Sequence, residues 1–321
     1  MSLLEVSNLK VYFYQQEYFM AIRNVDFKVN KGEIVALVGE SGCGKSVTSK
    51  AVARLLDDNA NTVTKGDIVF AGKDVLSLTN KELIDYRKND ISMIFQNPLT
   101  SLDPLYTIGD QIKEALILSN KDKSDKNVEN LLDRCQIRNS KAVMKMYPHE
   151  LSGGMLQRVA IAMAISKDPK LLIADEPTTA LDVTTQKEIL KLFKQISTDF
   201  GISILFITHD LGIVEKLTDK VYVMYRGQIV ESAQTNTLFE NPLHPYTRAL
   251  FRSSPRYFNK PKNKLYTIKG NVENLSIIQA GCPFKNRCDQ FTEKCDKNYP
   301  QMMEMRKDHF VRCFNVGVDN E

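Results

Sequence analysis

Gly39-Glu40-Ser41-Gly42-Cys43-Gly44-Lys45-Ser46 fits the spacing G-x-x-x-x-G-K-[ST], with one glycine more than the pattern requires at Gly42. Glycines at this spacing let the backbone curl until its N–H groups face phosphate oxygens. A helix beginning at Lys45 adds a partial positive charge at the same place. Lys45 can then reach the β- and γ-phosphates of a nucleoside triphosphate, and the Ser46 hydroxyl can ligate Mg²⁺. Gly39, Ser41, Gly42, Cys43, Gly44, Lys45, Ser46 and Val47 are the candidate nucleotide-binding positions. A chance glycine-rich turn would not explain the apolar run before the loop and the helical pattern after it.

Two carboxylates and a histidine have comparable placing. Asp175 ends the apolar run Leu171–Ala174, where the carboxyl edge of a parallel sheet would present it to a Mg²⁺ water shell. Glu176 beside it could polarise an attacking water, a general-base role worth about 10²–10⁴-fold. His209 follows the run Ile202–Ile207 and could approach a γ-phosphate, although a lone histidine is more often a satisfied core or surface residue. Ser152, Gly153 and Gly154 open a helical segment and make a second anion-binding turn.

Four of the six cysteines, Cys282, Cys288, Cys295 and Cys313, crowd the end of the chain with gaps of five, six and seventeen residues. Clustered thiols suggest metal, but the C-x₂-C knuckle of many zinc sites is missing. Spacing leaves zinc, an iron–sulfur cluster and no metal all open. Lys285, Arg287, Lys294 and Arg312 flank the thiols and would favour their thiolate form. Cys43 and Cys135 stand alone, read as a tolerated loop side chain and a small buried residue.

These residues need a scaffold. Residues 1–38 read as strands, with a turn at Asn30-Lys31-Gly32 and a strand buried on both faces at Ile34–Val38. A helix is expected from Lys45 to about Leu56. Residues 97–150 look helical, broken by the polar stretch Asn120–Asn127. Beyond Ile161 apolar strands alternate with helical patterns: Leu171–Ala174, a helix near Thr184–Phe200, Ile202–Ile207 and Val221–Tyr225. The expected class is α/β with a parallel sheet. After about residue 236, prolines at 242, 245, 255, 261, 283 and 300 punctuate a segment of different texture, and a boundary is placed there.

Leu151-Ser152-Gly153-Gly154-Met155-Leu156-Gln157-Arg158 resembles the signature sequence of ATP-binding cassette (ABC) proteins, and Leu171-Leu172-Ile173-Ala174-Asp175-Glu176-Pro177 their Walker B strand with its following glutamate. Ala180-Leu181-Asp182 looks like the D-loop, Gln96 like the Q-loop glutamine and His209 like the switch histidine. With the phosphate loop, six elements stand in the family's order over about 200 residues. The resemblance implies an ABC-type P-loop NTPase: a RecA-like ATP-binding core over 1–96 and 159–235, a helical subdomain over 97–158 and a small C-terminal extension over 236–321. It also implies ATP hydrolysis by Glu176, His209, Lys45 and Gln96, with Ser46, Gln96 and Asp175 around Mg²⁺. Asp182 and the Ser152–Gly154 turn would meet nucleotide in a head-to-tail dimer, where each signature caps the ATP of the other subunit. Phe13 matches the A-loop aromatic that stacks on adenine, with Tyr12 and Tyr14 as close rivals.

Gln96-Asn97-Pro98-Leu99-Thr100-Ser101-Leu102-Asp103-Pro104 and Asn241-Pro242-Leu243-His244-Pro245-Tyr246-Thr247 resemble the corresponding stretches of the dipeptide/oligopeptide and nickel importer ATPases. That resemblance implies uptake of dipeptides or oligopeptides, with nickel or a metal chelate as the alternative solute. Implied partners are a second, paralogous ABC ATPase in a heterodimer, two membrane permease subunits and, indirectly, an extracytoplasmic substrate-binding protein. It implies a [4Fe–4S] cluster on Cys282, Cys288, Cys295 and Cys313, with Zn²⁺ as the alternative.

Composition agrees with this setting. The chain has 43% hydrophobic and 26% charged residues, ordinary for a globular protein. No apolar run approaches the ~18–20 residues that span a bilayer, and the start lacks a secretory signal pattern. The expected place is therefore the cytoplasmic face of the cell membrane, held there by partners. Residues 236–321 carry 14 Lys/Arg against 9 Asp/Glu, but without aromatic–basic interleaving. This argues against nucleic acid as a partner and against an ABC ATPase of DNA repair or translation.

Overall fold

The computed structural model describes residues 2–15, 17–56, 61–179, 181–254, 266–276 and 280–316. Ala180, Pro255 and Pro261 lie outside them. Strands β1 (Ser2–Gln15) and β2 (Glu17–Asn30) precede β3 (Ile34–Val38), the phosphate loop and helix α1 (Lys45–Val52). Next come β4 (Thr62–Phe70), β5 (Lys73–Asp74), α2 (Asn80–Asp85), a π-helical turn Tyr86–Asp90 and β6 (Ile91–Ile94). A helical stretch follows: α3 (Pro98–Ser101), α4 (Ile108–Leu118), α5 (Asp125–Arg134), α6 (Ser140–Val143) and α7 (Gly153–Ile165). Then β7 (Leu171–Asp175), α8 (Val183–Phe200), β8 (Ser203–Thr208), α9 (Leu211–Leu217), β9 (Lys220–Tyr225) and β10 (Gln228–Gln234) alternate. The chain ends with α10 (Thr235–Glu240), α11 (Pro245–Ser253), α12 (Glu293–Lys297), β11 (Met303–Arg306) and β12 (His309–Val311).

The chain divides into two compact units. The first holds Val29–Ile34 and Ser77–Ile207. Its strands β6, β7 and β8 run parallel in that order, with Ile94 opposite Ala174 and Asp175 opposite Ile207. Every residue of β7 and β8 is buried, which is why both read as unbroken apolar runs. Helix α8 lays Ile189, Leu192, Phe193 and Ile196 inward, and Phe193 meets Phe206 edge-on at 5.4 Å. It starts at Asp182, whose carboxylate accepts from the Thr184 and Thr185 N–H groups, and stops at Gly201 in the left-handed region.

The second unit holds Ser2–Lys28, Val35–Leu76 and Thr208–Glu321. One antiparallel sheet has the order β2-β1-β4-β5. A second row of strands runs β11-β12-β10-β9-β3, with β3 and β9 parallel. Along β2, Val25, Phe27 and Val29 are buried while Asn24, Asp26 and Lys28 are exposed, the two-residue period of a half-covered strand. The core gathers Val38, Val223, Tyr225, Tyr246, Phe251 and Phe284 with Cys282 and Cys295. The cysteine-rich segment therefore shares a core with the strand that leads into the phosphate loop.

Two expectations shift. Helix α1 ends at Val52, four residues short of Leu56, because Arg54 takes a positive φ of 56° and turns the chain. Strand β6 (Ile-Ser-Met-Ile) and the strands β10–β12 gave no clear sequence signal. Among the described residues no helix is long and apolar enough to cross a membrane.

Candidate active site

The phosphate loop bends because two of its glycines must be glycines. Gly39 has φ 156°, and a Cβ there would lie 2.2 Å from the Met224 carbonyl oxygen. Gly44 caps α1 at φ 110°, where a Cβ would meet Ile22 Cδ1 at 2.7 Å. Lys45 is nearly buried and its Nζ donates to the Gly39 and Glu40 carbonyls at 2.8 and 3.0 Å. Its ammonium thus sits in the curl of the loop. Ser46 and Val47 occupy the first turn of α1. Cys43 is fully buried rather than a tolerated loop side chain; burial pushes its thiol pKa up, and its carbonyl accepts from Gly227 N–H at 2.7 Å.

Strand alternation separates the three aromatic candidates. Phe13 stands 5.9 Å from Phe19, and both rings line a cavity of about 340 Å³ with Ser41, Gly42 and Val47. Tyr12 instead lies under Lys65, and Tyr14 pairs with Tyr18 on the exposed side. His209 directly follows β8 and lines a smaller cavity with Leu250 and Ser253 of α11.

In the first unit, Asp175 is buried at the carboxyl end of β7. Glu176 follows at φ 47°, an uncommon conformation for a glutamate, fixed by its N–H donating to Ile207 O at 2.9 Å. Its carboxylate accepts from Gln96 Nε2 and from Thr179 Oγ1, each at 3.1 Å. Gln96 and Glu176, eighty residues apart, thus meet directly. The buried Asp175 carboxylate is an oxygen donor of the kind that suits Mg²⁺, and in the second unit so is the Ser46 hydroxyl at the start of α1.

Ser152 caps α7, its hydroxyl accepting from Met155 N–H. Gly154 packs the first turn against α8: a Cβ would meet Thr185 Cγ2 at 2.6 Å. Thr185 cannot easily yield, since its hydroxyl donates to Asp182 at 2.6 Å. The same Thr185 contacts hold the Asp182 carboxyl below the usual carboxylate range. Arg158 fastens the middle of α7, donating to Cys135 O and pairing with Glu188 at 2.8 Å.

Cys282, Cys295 and Cys313 are buried and Cys288 is half-buried. Burial first, then like charge from neighbouring thiols, pushes Cys282 up to about 11 and Cys288 up to about 12; Cys313 is raised likewise. Three of the four expected thiolate-favouring cations have turned elsewhere: Lys285 to Asp296, Arg287 to Glu40, Arg312 to the Ile229 carbonyl. The donor set, four thiols in one neighbourhood, has the chemistry of a soft-metal site. Yet among the described residues no three His, Cys, Asp or Glu side chains converge tightly enough to hold a metal ion.

Three residues outside the nucleotide motifs also bear on the phosphate loop. Tyr246 is fully buried and its hydroxyl accepts from Glu40 N–H at 2.9 Å. Arg287 pairs with the Glu40 carboxylate, and Arg226 stands beside Gly227. Only the Asn241–Thr247 stretch gave a sequence hint of this.

Residues 22–179 match the family model described as ABC transporter. Residues 230–295 match the model described as oligopeptide/dipeptide transporter, C-terminal region. The chain is 47% identical over 318 residues to the oligopeptide transport ATP-binding protein AppD of Bacillus subtilis (strain 168), covering 98% of this chain and 96% of that protein. It is 44% identical over 315 residues to the dipeptide transport ATP-binding protein DppD of the same organism, covering 97% and 94%. Among solved structures, the ATP-binding cassette MJ0796 dimer bound to ADP and Pi superposes with TM-score 0.63 at 26% identity, covering 72% of this chain and 98% of that one. CbiO1 of Clostridium perfringens, part of the transporter complex cbiONQ, gives TM-score 0.64 at 28% identity, covering 75% and 91%.

Proposed function

The chain belongs to the ATP-binding cassette family of transporter ATPases, and we propose that it powers uptake of dipeptides or oligopeptides from the cytoplasmic face of a membrane. It is an ATP-hydrolysing subunit; the solute, the pairing of cassettes and the residue roles are the proposal. Lys45 and the loop Gly39–Val47 hold the phosphates, and Phe13 stacks on adenine. Ser46, Gln96 and Asp175 would hold Mg²⁺, which would screen phosphate charge. Glu176 orients and deprotonates the attacking water, His209 contacts the γ-phosphate, and Ser152, Gly153, Gly154 and Asp182 serve the nucleotide of a paralogous partner cassette. In domain terms, a core of 1–96 and 159–235 carries the helical subdomain 97–158 and the extension 236–321.

One observation carries the coupling of hydrolysis to transport. A largely apolar groove of about 620 Å³ is lined by Ile84, Met93, Phe95, Leu102, Leu118 and Met163, with Arg87, Lys88 and Lys167 also in its lining. Phe95 is the residue before Gln96. Gln96 in turn touches Glu176. A cytoplasmic helix of a membrane subunit seated in this groove would be one side chain from the hydrolytic carboxylate. Leu118 is 62% exposed, so it can change without disturbing the fold. In vesicles containing the two membrane subunits, the second cassette and the substrate-binding protein, Leu118→Glu should abolish peptide-stimulated hydrolysis while the isolated chain still binds ATP. Undiminished stimulation would sink the docking reading, and stimulation by nickel but not by peptide would replace the solute.

The four thiols Cys282, Cys288, Cys295 and Cys313 are proposed to hold a [4Fe–4S] cluster, with Zn²⁺ as the other occupant of such a donor set. The support is the donor chemistry of four thiols in one segment, three of them buried and one half-buried.

A further inference from the structure

The cavity beside Phe13 has a second wall that belongs to the far end of the chain. Val272, Glu273, Asn274 and Leu275 line it together with Phe13, Phe19 and the loop residues Ser41 and Gly42. These residues lie more than two hundred positions from the phosphate loop, in the extension.

The segment is clamped from behind. Arg226 is 3% exposed; its guanidinium pairs with the Glu273 carboxylate at 3.0 Å and donates to the Asn274 carbonyl at 2.9 Å. Arg23 donates to the Leu275 carbonyl at 3.1 Å, and Asn286 Nδ2 donates to the other Glu273 oxygen at 2.9 Å. The clamp and the phosphate loop share one turn. Arg226 precedes Gly227, whose N–H donates to Cys43 O and whose carbonyl accepts from Arg23 N–H, both at 2.7 Å. Position 226 itself is held at φ 44°. The segment is therefore fixed to the same turn that fixes the loop.

The chemistry of the lining points to one kind of guest. Two phenylalanines, Phe13 and Phe19, supply apolar lining together with Val272 and Leu275. The carboxylate of Glu273 is engaged by Arg226 and Asn286. A flat, uncharged heteroaromatic ring suits such a slot, and a triphosphate tail attached to it would continue toward Ser41 and Gly42. We propose that Val272–Leu275 forms the second wall of the nucleoside pocket, so that the extension and Phe13 together set affinity for the purine base. This rests on the reading that the base stacks on Phe13.

The test compares two ligands on the full-length chain with Mg²⁺: ATP, which has a base, and inorganic tripolyphosphate, which has none. Leu275→Ser should weaken ATP about five- to tenfold, the effect of removing a partly buried apolar contact, and leave tripolyphosphate unchanged. Leu275→Met should restore ATP binding. Glu273→Gln, which keeps shape but weakens the clamp, should show a smaller loss confined to ATP. If Phe13→Ala weakens ATP but Leu275→Ser does not, the wall is overturned and the base reading stands. If neither variant matters, the base does not bind here at all. Loss of both ligands in Leu275→Ser would mean a displaced loop, and would overturn the proposal too.

Discussion

Arg287 donates to both oxygens of Glu40, at 2.7 and 2.9 Å, and so joins the turn between Cys282 and Cys288 to the phosphate loop. The pair is largely out of water: Arg287 is 6% exposed and Glu40 26%. A bidentate pair of this kind fixes direction as well as distance. Its partner contact, Tyr246 accepting from Glu40 N–H, holds the same residue from the backbone side. Arg287→Met should leave the Glu40 carboxylate half-buried without its cation, costing about 1–3 kcal/mol in denaturant unfolding. ATP affinity should fall several-fold as the loop loosens. Arg287→Lys, which keeps the charge but not the fork, should recover only part of both. Equal ATP affinity in all three proteins would show that the loop does not feel the extension.

Glu176→Gln tests the hydrolytic assignment with little structural change, because an amide oxygen can still accept from Gln96 and Thr179. The backbone at φ 47° is no worse for glutamine than for glutamate. ATP should bind as before, while steady-state hydrolysis falls at least about 10²-fold. In the assembled complex, with the partner's site inactive, the variant should accumulate in the ATP-bound state. Normal turnover there would remove Glu176 from the reaction.

What the sequence revealed follows from burial. Strands β3, β7 and β8 are covered on both faces, so their residues are uniformly apolar and announce themselves. The phosphate loop is equally legible because its backbone geometry admits only particular residues. Strand β10, Gln228–Gln234, hides because its centre is Glu231, a carboxylate with no exposure at all. Three donors make that tolerable: Leu243 N–H, His244 N–H and His309 Nε2, at 2.7 to 2.9 Å. No local pattern announces partners up to 78 residues away. The same holds for Arg287, which the spacing of its neighbours assigned to the thiols and the fold assigns to Glu40.

His244 gives a pH dependence. Its Nδ1 accepts from Tyr246 N–H at 3.0 Å and caps α11, which requires an unprotonated nitrogen. Complete burial lowers its pKa to about 4, with Arg248 adding to the effect and Glu231 opposing it. The unfolded chain takes up a proton near 6.5, the folded one not until about 4. Stability is therefore complete above pH 6.5 and declines as pH falls toward 4, by on the order of 3 kcal/mol from this group. His244→Asn keeps a side-chain acceptor for Tyr246 N–H but does not titrate. Its stability should be lower at pH 7 by roughly 1 kcal/mol and flatter between pH 6.5 and 4. An unchanged slope in denaturation series across that range would assign the acid sensitivity to other groups.

The thiol neighbourhood decides what the extension is for. Cys282 and Cys295 lie in the same buried cluster as Val38 and Tyr246, and the Cys282 N–H donates to Cys295 O at 2.7 Å. A metal group drawing the four sulfurs together would therefore tighten the core from which the phosphate loop emerges. Protein purified without oxygen should contain about four iron and four sulfide per chain for a [4Fe–4S] cluster, or about one zinc for a tetrathiolate site. Cys313→Ala should then lose the metal, melt at lower temperature and bind ATP more weakly, in that causal order. The weaker binding should be blunted in an Arg287→Met background, where the link to Glu40 is already cut. Metal-free protein with the stability and ATP affinity of Cys313→Ala would leave the four cysteines as ordinary packing residues. The extension would then act on the loop through Tyr246, Arg287 and the Glu273 pair with Arg226.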